Sequence, residues 1–237
     1  MALLFGTAEA ASTQSLSHRL NWLRAGVLGA NDGIVSTAGL VFGVAGATAD
    51  SIALLIAGFA GMVAGALSMA GGEYVSVSSQ KDSEVAALRQ QEQELAANPD
   101  GKLRQLADHY AERGLSRDLA EQVARELSAH AALDAHAQAF LNLDAGEYVS
   151  PWAAARASLV AFLAGSVIPL VAIVAMPAAV RLPLTVVAVL VALVVTGAVS
   201  ARLGGAGPWR AVLRNVVVGS LAMGLTYAVG SLVGSQL

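Results

Sequence analysis

A single carboxylate lies inside a long apolar stretch of this sequence. Asp32 is the only ionisable residue between about Ala25 and Ala47, a stretch long enough to cross a bilayer as one helix. A carboxylate near the middle of a membrane span costs about 2.5–3.5 kcal/mol on insertion scales, so a carboxylate without a role is disfavoured. We interpret Asp32 as a cation or proton site in a polar transport path that also includes Ser36. The alternative is a protonated Asp32 that is hydrogen-bonded to Ser36, one helical turn further on.

A second set of side chains follows at helical spacing and combines sulfur with oxygen. Its members are separated by 7, 4, 3, 4 and 4 residues, which places them on one face of a helix: Met62, Met69, Glu73, Ser76, Gln80 and Glu84. Hard oxygen ligands suit Mg²⁺, Ca²⁺ and Mn²⁺, whereas thioether sulfur suits softer ions. A path that offers both predicts an intermediate ion such as Fe²⁺ or Mn²⁺. A methionine stripe is also typical of helix packing, but its alignment with Glu73 favours a transport path.

Histidines and further carboxylates recur in the charged segment 81–150. Glu126, His130 and Asp134 stand at positions i, i+4 and i+8 of a predicted helix, with His136 nearby. Carboxylate and imidazole groups at this spacing can bind one divalent cation. Acidic residues on the first helix of the segment extend the candidate metal ligands: Glu84, Glu92 and Glu94. The alternative for all of them is an ordinary solvated helix face.

The composition predicts the helices that carry these side chains. The chain has 237 residues, of which 56% are hydrophobic and only 13% charged, against about 25% charged in a soluble domain. Apolar stretches of membrane-helix length occur five times, at about residues 25–47, 52–77, 157–176, 182–201 and 215–233. These stretches predict an all-α membrane protein with five transmembrane helices and a cytoplasmic helical insert between helices two and three. The predicted domains are residues 1–21 (cytoplasmic segment), 22–80 (helices one and two), 81–150 (helical metal-binding insert) and 151–237 (helices three to five).

The insert is predicted to contain two or three helices. Ser83 is a plausible N-cap for a first helix over Glu84–Ala97. The turn signal Asn98-Pro99-Asp100-Gly101 then precedes a second helix over Lys102–Arg113. A third helix, capped by Ser116, is predicted over Arg117–Asn142.

A five-residue segment occurs twice, on either side of the insert. Gly72-Glu73-Tyr74-Val75-Ser76 returns as Gly146-Glu147-Tyr148-Val149-Ser150. Five residues are too few to establish a duplication, so a structural role for the repeat and chance similarity both stay open.

Charge in the short loops predicts the orientation in the membrane. Arg19 and Arg24 flank the first span, and Arg202, Arg210 and Arg214 lie between spans four and five, whereas the first hairpin has neither Lys nor Arg. By the positive-inside rule the N-terminus and the insert are then cytoplasmic. The Ala-rich, cysteine-free composition fits a bacterial inner membrane.

Several function classes are disfavoured. The net charge of −3, without a basic run, argues against a nucleic-acid partner. The sequence has no cysteine, Walker loop, H-E-x-x-H motif or nucleophile elbow, so we expect a protein that is not an enzyme and has no cofactor. The remaining alternative to a transporter is a non-transporting membrane sensor or scaffold whose acidic insert binds metal.

Four runs of residues resemble the vacuolar iron transporter family: Asn31–Thr37, Met69–Ser76, Ser79–Glu84 and Ala161–Leu170. The resemblance implies a homodimeric five-span exporter of ferrous iron, and sometimes of manganese or other divalent ions, in exchange for protons. It also implies that the insert is a cytoplasmic domain that gathers ions below the pore. Such ions are bound cargo, and the implied partners are the lipid bilayer, protons and a second copy of the chain.

The resemblance carries over residue by residue. Asp32 matches the intramembrane aspartate of the family, Met69 its pore methionine and Glu73 the glutamate of its second-span motif. The insert departs from the family pattern, because two carboxylate positions are lost at Ala139 and Phe140, with Asp134 as a possible replacement. This departure leaves open how many ions the insert holds and which metal it prefers.

Overall fold

The computed structural model describes residues 26–144 and 148–236, and these residues contain helices and turns but no strand. The predicted cytoplasmic segment 1–21, and Gly146 and Glu147 of the repeat, lie outside the described residues. The described part of the chain forms seven α-helices and one π-helical turn, in this order: α1 Gly26–Ala47, α2 Ser51–Ala97, α3 Pro99–Glu112, α4 Arg117–His136, π Ala137–Leu141, α5 Pro151–Ala175, α6 Arg181–Leu203 and α7 Pro208–Gly234.

The described residues divide into two compact units. The membrane unit comprises the described residues up to Val75 and those from Pro151 onward, and the second unit is Ser76–Ser150. Helices α1, α2, α5, α6 and α7 are each long and apolar enough to cross a membrane. The prediction of five membrane helices is thus confirmed, and the protein is an integral membrane protein. The cytoplasmic location of the insert stays a prediction.

Helix α2 is longer than the sequence pattern indicated. It runs without interruption for 47 residues, so a separate insert helix capped by Ser83 is wrong. The Ser83 hydroxyl instead donates to the carbonyl of Ser79 at 2.9 Å, a bond from one turn of the helix to the previous one. No Gly or Pro occurs from Glu73 to Ala97, and the many Ala, Gln and Glu residues favour a continuous helix.

Close contacts between helix backbones hold the membrane unit together. Gly165 of α5 faces the backbone of Ala30 in α1 so closely that an added Cβ would overlap the Ala30 carbonyl. Gly230 of α7 meets the backbone of Gly43 in α1 in the same way. Small residues at such crossings let helices approach closely where lipid offers no hydrophobic driving force. Helix α1 is therefore fixed between α5 and α7.

The second unit has a small apolar core and a sharply defined start to α3. Leu106 and Ala107 of α3 pack with Ala124 and Ala135 of α4. Helix α3 begins earlier than predicted, because the Asn98 side chain accepts a hydrogen bond from the Gly101 amide at 3.0 Å. This contact satisfies one of the free N–H groups of the first turn.

The third insert helix is not continuous as predicted. Ser116 stands at the N-cap of α4, but its side chain makes no capping hydrogen bond to the described residues. Ala131 has non-helical angles, φ −157° and ψ 79°. A π-helical turn, Ala137–Leu141, then ends at Asn142, whose φ is +53°. The helical spacing read from the sequence therefore does not extend across Ala131.

The two tyrosines of the repeated segment make different contacts. Tyr74 lies 4.8 Å from the ring of Trp152 within the membrane unit. Lys81 places its ammonium 5.3 Å from the ring of Tyr148 within the second unit. A shared structural role for the repeat stays a prediction.

Candidate functional site

Asp32 lies in α1, seven residues into the helix as it is described, and is half-buried. The Ser36 hydroxyl, one turn further on, donates to Asp32 Oδ1 at 2.7 Å. This bond is the one that the alternative interpretation of Asp32 required. It is equally suited to a carboxylate, since ionised oxygens accept hydrogen bonds more strongly than neutral ones.

Helix α5 fixes the backbone on both sides of Asp32. An added Cβ on Gly33 would overlap the carbonyl of Phe162, and the Ser166 hydroxyl donates to the Gly33 carbonyl at 3.2 Å. Gly29, one turn earlier, faces the carbonyl of Ser158. The position of the α1 backbone at Asp32 is therefore set by contacts of Gly29 and Gly33 with α5.

The sulfur and oxygen residues of α2 fall on a single continuous helix, as their spacing requires. Met62, Met69 and Glu73 belong to the membrane unit and are half-buried. Ser76 and Gln80 belong to the second unit and are exposed. The Gln80 amide donates to Glu84 Oε1 at 2.8 Å, so these two predicted path residues contact each other.

Three or more His, Cys, Asp or Glu side chains do not come together anywhere in residues 26–144 or 148–236. This holds for Asp32 and Glu73 and for the acidic residues of the second unit. Each predicted metal ligand therefore stays a prediction.

The carboxylates at the end of α2 differ in their partners. Glu92 is exposed, whereas Glu94 forms an ion pair with Lys102 of α3 at 2.5 Å. The hydrogen bonds from Lys102 and Gln90 lower the pKa of Glu94. Because Lys102 already neutralises this carboxylate, a metal ion at Glu94 has to displace an ammonium group.

The predicted trio on α4 points into solvent. Glu126, His130 and Asp134 are all exposed, and Glu126 accepts a hydrogen bond from the Gln122 amide at 3.1 Å. The non-helical Ala131 separates His130 from Asp134. The trio therefore does not follow one regular helical face.

His136 lies inside the second unit. Its side chain is fully buried, its ring stacks on Phe140 at 5.4 Å, and neither ring nitrogen has a hydrogen-bond partner among the described residues. Burial, and secondarily the charge of Lys102, lower the pKa of His136. His109 also contacts Phe140, at 5.1 Å. Sequence reasoning treated His136 as a ligand beside exposed residues and missed this aromatic contact.

A buried cation was also missed. Arg181, the first residue of α6, is 9% exposed and hydrogen-bonds to the turn between α1 and α2. The sequence signal was present, since Arg181 is the only charged residue from about Ala157 to Ala201.

Comparison with known proteins identifies the family of this chain. A family model described as the VIT family matches residues 23–231. The chain belongs to the VIT family. Among the similar VIT proteins is the vacuolar iron transporter of Acanthamoeba castellanii, which is 43% identical over 89% of this chain and 78% of its own length.

Plant relatives within the VIT family are nearly as similar. Vacuolar iron transporter homolog 5 of Oryza sativa subsp. japonica is 39% identical over 90% of this chain and 80% of its own length. Vacuolar iron transporter homolog 2 of Arabidopsis thaliana is 38% identical over 94% and 90%, respectively. The family match covers every candidate site residue of this chain, from Asp32 to His136.

Proposed function

We propose that this VIT protein exports divalent metal cations, ferrous iron and also manganese, from the cytosol in exchange for protons. The observation that carries the proposal is Asp32, an ionisable side chain within a membrane helix of a chain whose relatives are named as iron transporters. Intramembrane carboxylates typically mark ion paths and proton relays.

Asp32 and Glu73 are the residues that would bind the ion and release it. When deprotonated, each carboxylate supplies a negative charge and hard oxygen ligands to a divalent cation. When protonated, it loses that charge, so entry of protons from the far side releases the metal. Met69, one turn from Glu73, adds a thioether that favours iron over magnesium.

The second unit would gather cations on the cytosolic side. Its exposed carboxylates, among them Glu92, Glu126 and Asp134, attract divalent cations without holding them tightly. In this proposal the N-terminus and the second unit face the cytosol of a bacterium, and the protein lies in the inner membrane. A second copy of the chain completes the path between α1 and α2, because five apolar helices with few polar groups enclose an ion poorly.

The decisive experiment is metal uptake into proteoliposomes. Fe²⁺ under anaerobic conditions and Mn²⁺ are each supplied with and without a proton gradient, and Asp32→Asn is compared with the original protein. Asp50→Asn is the matched control, because Asp50 is an exposed carboxylate at the start of α2 whose capping bond to Ile52 an Asn side chain can also make.

We expect gradient-driven flux of both metals, reduced to the level of empty vesicles by Asp32→Asn and unchanged by Asp50→Asn. Full flux in the folded Asp32→Asn protein would contradict the mechanism. No flux of either metal in any variant, with metal still bound by the full-length protein, would instead support the sensor or scaffold.

A further inference from the structure

A buried arginine joins α6 to the turn between α1 and α2. Arg181 Nη2 donates to the Ser51 hydroxyl at 2.8 Å, and Nη1 donates to the Ala49 carbonyl at 3.4 Å. Arg181 is the only charged side chain that is buried among the described residues. No ion pair joins it to a carboxylate in that part of the chain.

This arrangement is expensive, and packing alone does not explain it. A charged group away from water needs a partner, and an apolar side chain of similar volume would fill the same space at lower cost. Asp50 stands between the two contacted residues, but it is exposed and its carboxylate accepts from the Ile52 amide at 2.9 Å. The guanidinium is therefore bonded to two neutral acceptors. Such bonds specify a position more than they neutralise a charge.

The position that they specify is that of α2 relative to α1. Ala49 follows α1, which carries Asp32, and Ser51 begins α2, which carries Met69 and Glu73. Helix α2 packs on α1 and α5 through small and apolar residues, since Leu54 is buried with Val41 and Ile173. Several of its other large apolar side chains are more than half exposed: Ile52, Ile56, Phe59 and Leu67. The bonds at Ala49 and Ser51 add a polar contact at the start of α2 to this apolar packing.

A small tilt of α2 at Ser51 would displace the distant end of its membrane segment by several ångströms. Glu73 lies 22 residues after Ser51 on the same helix, which corresponds to about 33 Å at about 1.5 Å per residue. A tilt of about 5° at Ser51 would displace Glu73 by about 3 Å. Metal–ligand distances lie within about 0.2 Å of standard values, so a displacement of several ångströms would take Glu73 out of the site.

We propose that Arg181 is a positioning residue for the metal path, which holds α2 in register with α1 through Ser51 and Ala49. The proposal rests on the transport function proposed above. Among the described residues, Arg181 contacts no candidate metal ligand directly, so it affects the geometry of the metal path and not its chemistry.

Transport kinetics provide the first test. Arg181→Ala is expected to raise the KM for Fe²⁺ by about tenfold, the size expected from losing a hydrogen bond made by a charged group. Arg181→Lys retains one donor for Ser51 and should restore much of the loss, and Ser51→Ala should raise KM by less than Arg181→Ala. The variant that combines Arg181→Ala with Ser51→Ala should have a KM no higher than that of Arg181→Ala alone. Arg202→Ala, at the exposed end of α6, is the control and should leave KM unchanged.

A distance measurement gives a second readout that does not depend on transport. The chain has no cysteine, so spin labels can be placed at Ser68→Cys on α2 and Ser220→Cys on α7, both exposed positions. The labelled protein is diluted into unlabelled protein so that only distances within one chain are measured. We expect a narrow distance distribution in the original protein and in Arg181→Lys, and a broader or shifted one in Arg181→Ala.

The two readouts separate the two proposals. An unchanged distribution together with an unchanged KM in folded Arg181→Ala would overturn the positioning role. If the distance distribution shifts in Arg181→Ala but the original protein transports neither metal, the positioning role is supported and the proposed transport function is contradicted. If Arg181→Ala does not fold, Ser51→Ala and Arg181→Lys carry the test, and an unchanged distance distribution in Ser51→Ala would then overturn it.

Discussion

Each of the two units of this protein is stabilised internally by a different kind of interaction. In the membrane unit, helices meet backbone to backbone at glycines, as Gly165 does against Ala30 and Gly230 against Gly43. In the second unit, α3 and α4 meet through a small core around Leu106, and ion pairs such as Lys102 with Glu94 lie at its edges. Lipid makes close packing the main source of helix association, whereas water supplies a hydrophobic driving force to the second unit. The same chain therefore follows two sets of packing rules.

The largest expected effect comes from placing a methyl group at a backbone contact of the membrane unit. In Gly165→Ala the new Cβ overlaps the Ala30 backbone, which cannot move away as a flexible side chain would. We expect a loss of about 1–3 kcal/mol in stability, as for other overpacked sites. Thermal unfolding in detergent, followed by tryptophan fluorescence, measures it.

Gly71→Ala is the matched control for this experiment. Gly71 is also a helical glycine of the membrane unit, but a Cβ there would meet no atom of another helix within 4 Å among the described residues. Because Ala has a higher helix propensity than Gly by about 1 kcal/mol, Gly71→Ala should leave stability unchanged or raise it. Equal losses in the two variants would show that backbone contact is not what holds the membrane unit.

The sequence predicted the helices better than it predicted their contacts. Apolar length alone located all five membrane helices, because a bilayer requires long uncharged stretches. Glycine spacing did not reveal which partner each glycine meets, since that depends on tertiary packing. The break at Ala131 was not predicted either, because alanine is the strongest helix former and nothing local announces the change.

Burial of His136 provides the next test, this time of the second unit. When the chain unfolds, the imidazole returns to a pKa of about 6.5, and burial lowers its pKa in the folded protein, with Lys102 adding to the effect. The folded state then binds fewer protons than the unfolded state. The contribution of neutral His136 to the free energy of unfolding is therefore fully present above about pH 6.5. It falls as the pH drops through that value toward the folded-state pKa, by at most about 1.4 kcal/mol per pH unit.

Hydrogen–deuterium exchange of the α3 and α4 peptides in the full-length protein, between pH 7.5 and pH 5 after correction for intrinsic rates, measures this dependence. His136→Leu should reduce it. His130→Ala is the matched control, because His130 is exposed on the same helix, and it should leave the dependence unchanged. If His136→Leu keeps the full pH dependence, the destabilisation at low pH arises elsewhere in the second unit.

The candidate site was only partly predictable, and its residues show why. Asp32 could be singled out because a carboxylate in an apolar stretch is costly wherever its neighbours lie. Glu126, His130 and Asp134 were grouped by helical spacing, and the non-helical Ala131 interrupts that spacing. Arg181 stood out in charge but not in role, because its partners Ala49 and Ser51 are about 130 residues away in the chain.

The smallest expected effect concerns the surface ion pairs of the second unit. Arg117 at the start of α4 pairs with Asp108 of α3, and the Asp108 carboxylate raises the pKa of Arg117. Both side chains are more than half exposed, and exposed pairs contribute little because water and salt screen them. Arg117→Ala should therefore speed hydrogen exchange in α3 and α4 slightly at about 0.01 M salt and not measurably at about 1 M, where the screening length is about 3 Å. Arg104→Ala, which removes an exposed cation of α3 that forms no ion pair with the described residues, should have no effect at either salt concentration. A large, salt-independent effect of Arg117→Ala would mean that the contact between α3 and α4 depends on this side chain as well as on the core around Leu106. The second unit, like the membrane unit, would then depend on a specific close contact and not on its apolar core alone.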